Sequence, residues 1–125
     1  MPIISFCDAL LYAGDYVYAG VNVGDVYKID PSTFEVIATY TIGSAYSLAY
    51  DGTYLYVGAN GGVVKVNPST MTAVADVVSP DSGIVYGLTY IGTYLYAGTS
   101  NNHVYQIDPS TMTVIGTFAP DNDRL

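Results

Sequence analysis

The sequence predicts an all-β protein assembled from three copies of one unit, on three observations. Two short motifs occur in alternation, three times each, at nearly constant spacing. Large and small side chains alternate with period two inside each copy, a spacing that suits a strand and not a helix. Glycine, proline and asparagine interrupt the chain roughly every eight to ten residues, which leaves no room for a helix of ordinary length.

The first motif is Gly14-Asp15-Tyr16-Val17-Tyr18-Ala19-Gly20, repeated as Gly52-Thr53-Tyr54-Leu55-Tyr56-Val57-Gly58 and Gly92-Thr93-Tyr94-Leu95-Tyr96-Ala97-Gly98. The second is Asp30-Pro31-Ser32-Thr33-Phe34, repeated as Asn67-Pro68-Ser69-Thr70-Met71 and Asp108-Pro109-Ser110-Thr111-Met112. A period of about 39 residues falls in the range of propeller blades and helical repeats, and the alternation decides for strands.

Each copy divides into four strands. Strand A covers Phe6–Tyr12, Ala45–Tyr50 and Ile84–Tyr90, where runs such as Ser44-Ala45-Tyr46-Ser47-Leu48-Ala49-Tyr50 alternate clearly. Strand B is the tyrosine motif, whose aromatic and β-branched residues suit a pleated surface. Strand C is Val26–Asp30, Val63–Asn67 and Val104–Asp108, and strand D is Glu35–Thr41, Thr72–Val78 and Thr113–Ala119. Between C and D, aspartate or asparagine opens a turn and proline presets φ at the next position. Four antiparallel strands per repeat describe a β-propeller blade. The expectation is one domain, residues 1–125, with blades at about 5–43, 44–82 and 83–121.

The run Tyr94-Leu95-Tyr96-Ala97-Gly98, followed by Val104-Tyr105-Gln106-Ile107-Asp108-Pro109-Ser110-Thr111-Met112-Thr113-Val114, resembles a blade of the YVTN and quinoprotein-like propeller superfamily. The resemblance spans residues 5–120. It implies the blade and leaves function open, because that superfamily holds enzymes, scaffolds and surface proteins. Its quinone-binding members carry a tryptophan motif in each blade, and this chain has no tryptophan. No cofactor is expected.

Composition narrows the functional classes. The formal net charge is −8, and Lys28, Lys65 and Arg124 are the only basic residues. Nucleic-acid binding needs cations to displace the phosphate counterions, and anionic membranes need them too, so neither partner is expected. The acidic surface favours solubility. Single Cys7 excludes an intrachain disulfide. No signal peptide or membrane-spanning run is visible, and the localisation stays undetermined.

Three blades raise a packing problem. Each blade has two apolar faces, whereas closed rings usually hold four to eight blades. A lone arc would expose one face at each end. Two copies give six blades, so the expected assembly is a homodimer with joints from blade 1 to the partner's blade 3 and the reverse. Pro120-Asp121-Asn122-Asp123 echoes the Pro80-Asp81-Ser82 linker, as if leading towards a further blade. The competing reading is a fragment or engineered piece of a longer propeller.

Ligand-binding candidates come from the B–C loops and one departure from the repeat. The A–B and C–D turns are nearly invariant, but the B–C loops differ, contributing Asp25, Asn60, Asn101, Asn102 and His103. Variation on one face of a constant frame is what a binding surface shows. Asp8 occupies the strand A position held by Tyr46 and Tyr86, and is a candidate for a cation or a sugar hydroxyl, or is simply solvated. His103 is the only histidine. No relay or metal set can be assembled around it, and a solvated loop position is expected. Cys7 is expected to be a buried thiol, and the strand B tyrosines are expected to pack the blades. No catalytic or metal-binding residue is assigned. The expected function is a non-catalytic binding or scaffold module with a protein or glycan ligand; the alternatives are a hydrolase or lyase with an acidic central site and a purely structural virion or surface-layer subunit.

Overall fold

The computed structural model describes residues 5–75 and 77–120. Three four-stranded antiparallel sheets follow one another along the chain. The first is β1 (Cys7–Ala13), β2 (Tyr16–Val21), β3 (Val26–Asp30) and β4 (Glu35–Tyr40). The second is β5 (Ser47–Tyr50), β6 (Leu55–Ala59), β7 (Gly62–Asn67) and β8 (Thr72–Ala73), and the third is β9 (Val85–Ile91), β10 (Tyr94–Thr99), β11 (Val104–Asp108) and β12 (Thr113–Phe118). In each sheet the strands lie in chain order, so every connection is a hairpin.

The C–D turns close by the mechanism their sequence implies. Asp30 Oδ1 accepts from Ser32 N–H at 2.9 Å, Asn67 Oδ1 from Ser69 N–H at 2.9 Å, and Asp108 Oδ1 from Ser110 N–H at 3.0 Å. Phe34, Met71 and Met112 donate back to the residue that opened the turn, each at 2.7 Å, and take φ of 60°, 54° and 53°. Three equivalent residues therefore leave the backbone in one shared, left-handed geometry.

Strand D of the second blade is much shorter than the Thr72–Val78 expected. Its ladder ends at Ala73, although Val74 N–H still bonds Lys65 O at 2.9 Å, and pairing returns at the isolated Val63–Val78 bridge. The reason is a one-residue offset. In the outer sheets Val26 and Val104 pair with Tyr40 and Phe118, nine positions after the turn proline, but Val78 lies ten positions after Pro68. With one residue more on this side than β7 can pair, the ladder cannot keep register up to Val78. Strand β5 also starts later than expected, because Ala45 N–H bonds Val21 O of the first blade at 2.9 Å.

Two apolar clusters join the sheets. One packs Tyr18 and Val26 of the first blade against Leu55, Val57, Val64, Val66 and Met71 of the second. The other packs Tyr56 and Val63 against Val85, Leu95, Ala97, Tyr105 and Ile107 of the third. The tyrosine expectation holds in part: Tyr18 and Tyr56 are buried, Tyr16, Tyr54 and Tyr96 are half-buried, and Tyr94 is exposed. A polar stitch repeats at both joints. Lys28 Nζ donates to Pro68 O at 2.7 Å and lies 4.3 Å from the Tyr16 ring; Lys65 Nζ donates to Pro109 O at 2.8 Å and lies 4.3 Å from the Tyr54 ring.

Cys7 is exposed, against the expectation of a buried thiol. It lies on the first strand of the first sheet, with no blade on its outer side to cover it. Residues 121–123, the expected echo of the blade linker, lie outside the described residues.

Candidate functional site

The loops joining D to A and B to C cluster beside the third blade, where Asp81 organises them. Tyr105 donates its hydroxyl to Asp81 Oδ2 at 2.7 Å, Thr99 Oγ1 donates to the same oxygen at 2.9 Å, and Gly83 N–H donates to Oδ1 at 2.7 Å. Partial burial disfavours the charge, but Tyr105, Gly83, Thr99 and the Asn101 side chain outweigh it and hold the carboxyl below its ordinary range. The carboxylate thus ties the linker before the third blade to that blade's own B–C loop.

His103, expected to be solvated, is half-buried: its ring stacks on Tyr105 with centroids 5.7 Å apart. Its Nδ1 lies 2.7 Å from Asn101 O, so that nitrogen carries the proton, and 3.9 Å from Asp81 Oδ2. Asn102 sits at φ 66° in a turn closed by its own N–H to Thr99 O. Asn101, Asn102 and His103 are therefore brought together, with both asparagines exposed.

The other candidates lie apart from this group. Asp25 accepts from the N–H groups of Ile42 and Gly43 at 2.9 and 3.1 Å and serves as a staple for the first blade's linker. Asn60 borders a depression of about 460 Å³ between the first and second blades, with Tyr40, Ile42 and Val77 among its walls. Asp8 is exposed, at the irregularity where the register of β1 on β2 shifts between Cys7 and Ala9. The Tyr46 and Tyr86 rings at the equivalent positions meet edge to face at 5.3 Å. Among the described residues no group of three or more histidine, cysteine, aspartate or glutamate side chains could hold a metal ion.

A second polar cluster, outside the sequence expectations, lies at the opposite, turn-bearing end. Asp51 accepts from Thr53 N–H at 2.8 Å, Tyr54 N–H at 2.6 Å and the Tyr56 hydroxyl at 2.7 Å. Burial works against the Asp51 charge, and the Tyr54, Tyr56 and Thr53 donors together with Lys65 hold its carboxyl below the ordinary value. Burial first, then the bond to Asp51, pushes the Tyr56 hydroxyl far above its ordinary value. The cluster borders a cleft of about 390 Å³ between the second and third blades, shared with Tyr90 and Asp108. The repeat held the signal for it: Asp51 stands where the other copies have Ala13 and Ile91. Asp81 offered less, since carboxylates are ordinary in a Pro-Asp-Ser-Gly linker.

No protein-family model matches the sequence, and no curated protein does either. Solved structures do match. The chain is similar to the mitotic checkpoint complex structure (TM-score 0.84, 18% identity, 94% of this chain and 38% of that one). It is similar to the RRP9 WD40 repeats (0.83, 11%, 93% and 39%) and to BamB from Moraxella catarrhalis (0.78, 14%, 100% and 40%). In each case the chain spans well under half of the matched structure. At these identities the likeness establishes the fold: the three sheets are blades of a β-propeller.

Proposed function

We propose that the chain is a non-catalytic binding or scaffold module of YVTN-like type, completed to a six-bladed ring by a second copy and binding a protein or glycan through its B–C and D–A loops. The observation that carries the binding reading is the Asp81 network. Thr99, Tyr105, Gly83 and the Asn101 side chain are held by one carboxylate and His103 by Asn101. The loop carrying Asn101, Asn102 and His103 is thus braced before any ligand arrives, which lowers the ordering cost of binding. A loop face that had only drifted would have no need of such bracing.

The ring reading rests on the ends of the arc. Leu10 is 72% exposed on the first blade and Phe118 62% exposed on the third. Burying two such faces at about 25 cal/mol per Å² gives on the order of tens of kcal/mol gross, before the entropy of association. The test is a panel of glycans and candidate proteins, measured against the wild type and the triple variant Asn101→Ala, Asn102→Ala, His103→Ala. Loss of binding in the variant supports the assignment, and an undiminished hit removes this face from consideration.

A further inference from the structure

We propose that Phe34 is the residue that selects the partner at the interchain joint, seating in a depression on the third blade of a second copy. This deepens the ring reading above and rests on it. Phe34, Met71 and Met112 are the same residue of the repeat, with the same turn and the same positive φ. Met71 is 3% exposed within the cluster that joins the first two blades, and Met112 packs against the cluster that joins the second and third. Phe34 is 82% exposed. A phenylalanine held at φ 60°, where bulky residues are disfavoured, and left in water has a side chain in search of a socket.

The socket exists at the other end of the chain. A depression of about 310 Å³ on the outer face of the third blade is lined by Tyr96, Val104, Gln106, Gly116, Thr117 and Phe118. In the first blade the equivalent positions are Tyr18, Val26, Lys28, Ala38, Thr39 and Tyr40. Tyr18 and Val26 belong to the cluster that contains Met71, and Ala38 and Tyr40 pack against it. Three of the six positions are smaller in the third blade: Gln106 replaces lysine, Gly116 replaces alanine and Phe118 replaces tyrosine. The inserting residue is larger, phenylalanine for methionine. The changes compensate, as a knob and a hole that belong together should.

A second contact has the same logic. A Cβ on Gly20 would lie 3.1 Å from Ala45 of the next blade, and one on Gly58 would lie 2.8 Å from Val85 of the next. Gly98, their counterpart in the third blade, has nothing within 4 Å. Cys7 holds the repeat position of Ala45 and Val85, and it is the exposed thiol noted above. In the closed ring the partner's first blade lays Cys7 over Gly98. A second copy therefore supplies both missing pieces, and supplies them at one joint.

The test combines sedimentation mass with the rate at which a thiol reagent labels Cys7, for four proteins. The wild type is expected at twice 13.3 kDa with slow labelling that accelerates on dilution. Gly116→Ala, which crowds the socket floor, and Phe34→Met, which underfills it, should each weaken the dimer by about tenfold per joint, hence about a hundredfold for two joints. Combining them restores the intrachain pairing of methionine with alanine and should recover most of the affinity. That mutual rescue separates a seated side chain from a generally weakened fold. A wild type of single-chain mass overturns the ring reading and this proposal together. A wild-type dimer indifferent to both single substitutions, or a double variant no better than the worse single one, overturns the Phe34 assignment and leaves the ring standing.

Discussion

Removing the Asp51 carboxylate should destabilise the protein mainly by stranding a hydroxyl. Asp51 accepts three hydrogen bonds, two from backbone N–H groups of an exposed turn and one from Tyr56. In Asp51→Ala the Thr53 and Tyr54 amides of this surface turn can turn to water. The Tyr56 side chain is fully buried, so its hydroxyl cannot. An unsatisfied buried hydroxyl costs about 1–3 kcal/mol, and the central figure of about 2 kcal/mol corresponds to a fall in Tm of roughly 8 °C for a chain of this size. The discriminating measurement is a thermal double-mutant cycle with Tyr56→Phe at fixed protein concentration. Tyr56→Phe alone should cost about 2 kcal/mol, because it removes a charge-assisted bond. In the Asp51→Ala background the same change removes the stranded group and should be neutral or stabilising. Strictly additive effects would refute the reasoning, for they would mean that the two side chains are not coupled.

Other outcomes follow from the same geometry. Because the folded pKa of Asp51 is depressed, its contribution is present above the unfolded value of about 3.9 and is lost as pH falls through the folded value. The stability gap between wild type and Asp51→Asn should thus be constant near neutrality and narrow below about pH 4 in denaturant titrations. Gly58→Ala should cost about 3 kcal/mol or abolish folding, since the new methyl would overlap Ser47 Oγ and press on Val85; the same change at Gly98 should leave the fold of the single chain intact by circular dichroism. Lys28→Met and Lys65→Met should each cost about 1 kcal/mol by chemical denaturation, each losing one bond to the next blade's proline carbonyl and one ring contact. Unequal losses would show that the two stitches are not equivalent.

The repeat itself, the strand positions in the outer blades and the turn mechanism were all legible in the residues. They are local: a period of two marks a strand, and an aspartate followed by proline closes a turn wherever the chain lies. Strand D of the second blade was not legible, because one extra residue between Pro68 and Val78 matters only when two strands must keep register. Cys7 was misjudged for a related reason. A cysteine in an innermost strand looks buried until the outer side of its sheet is found uncovered. Asp51 and Asp81 sit in ordinary turn sequences, and only folding brings Tyr56 and Tyr105, five and 24 residues along the chain, to within 2.7 Å of them. Local chemistry thus determined what the units are. Which surfaces are covered, and which polar groups meet, was decided by stacking one unit on the next, since burial and hydrogen-bond partnership depend on neighbours that no single stretch of the chain contains.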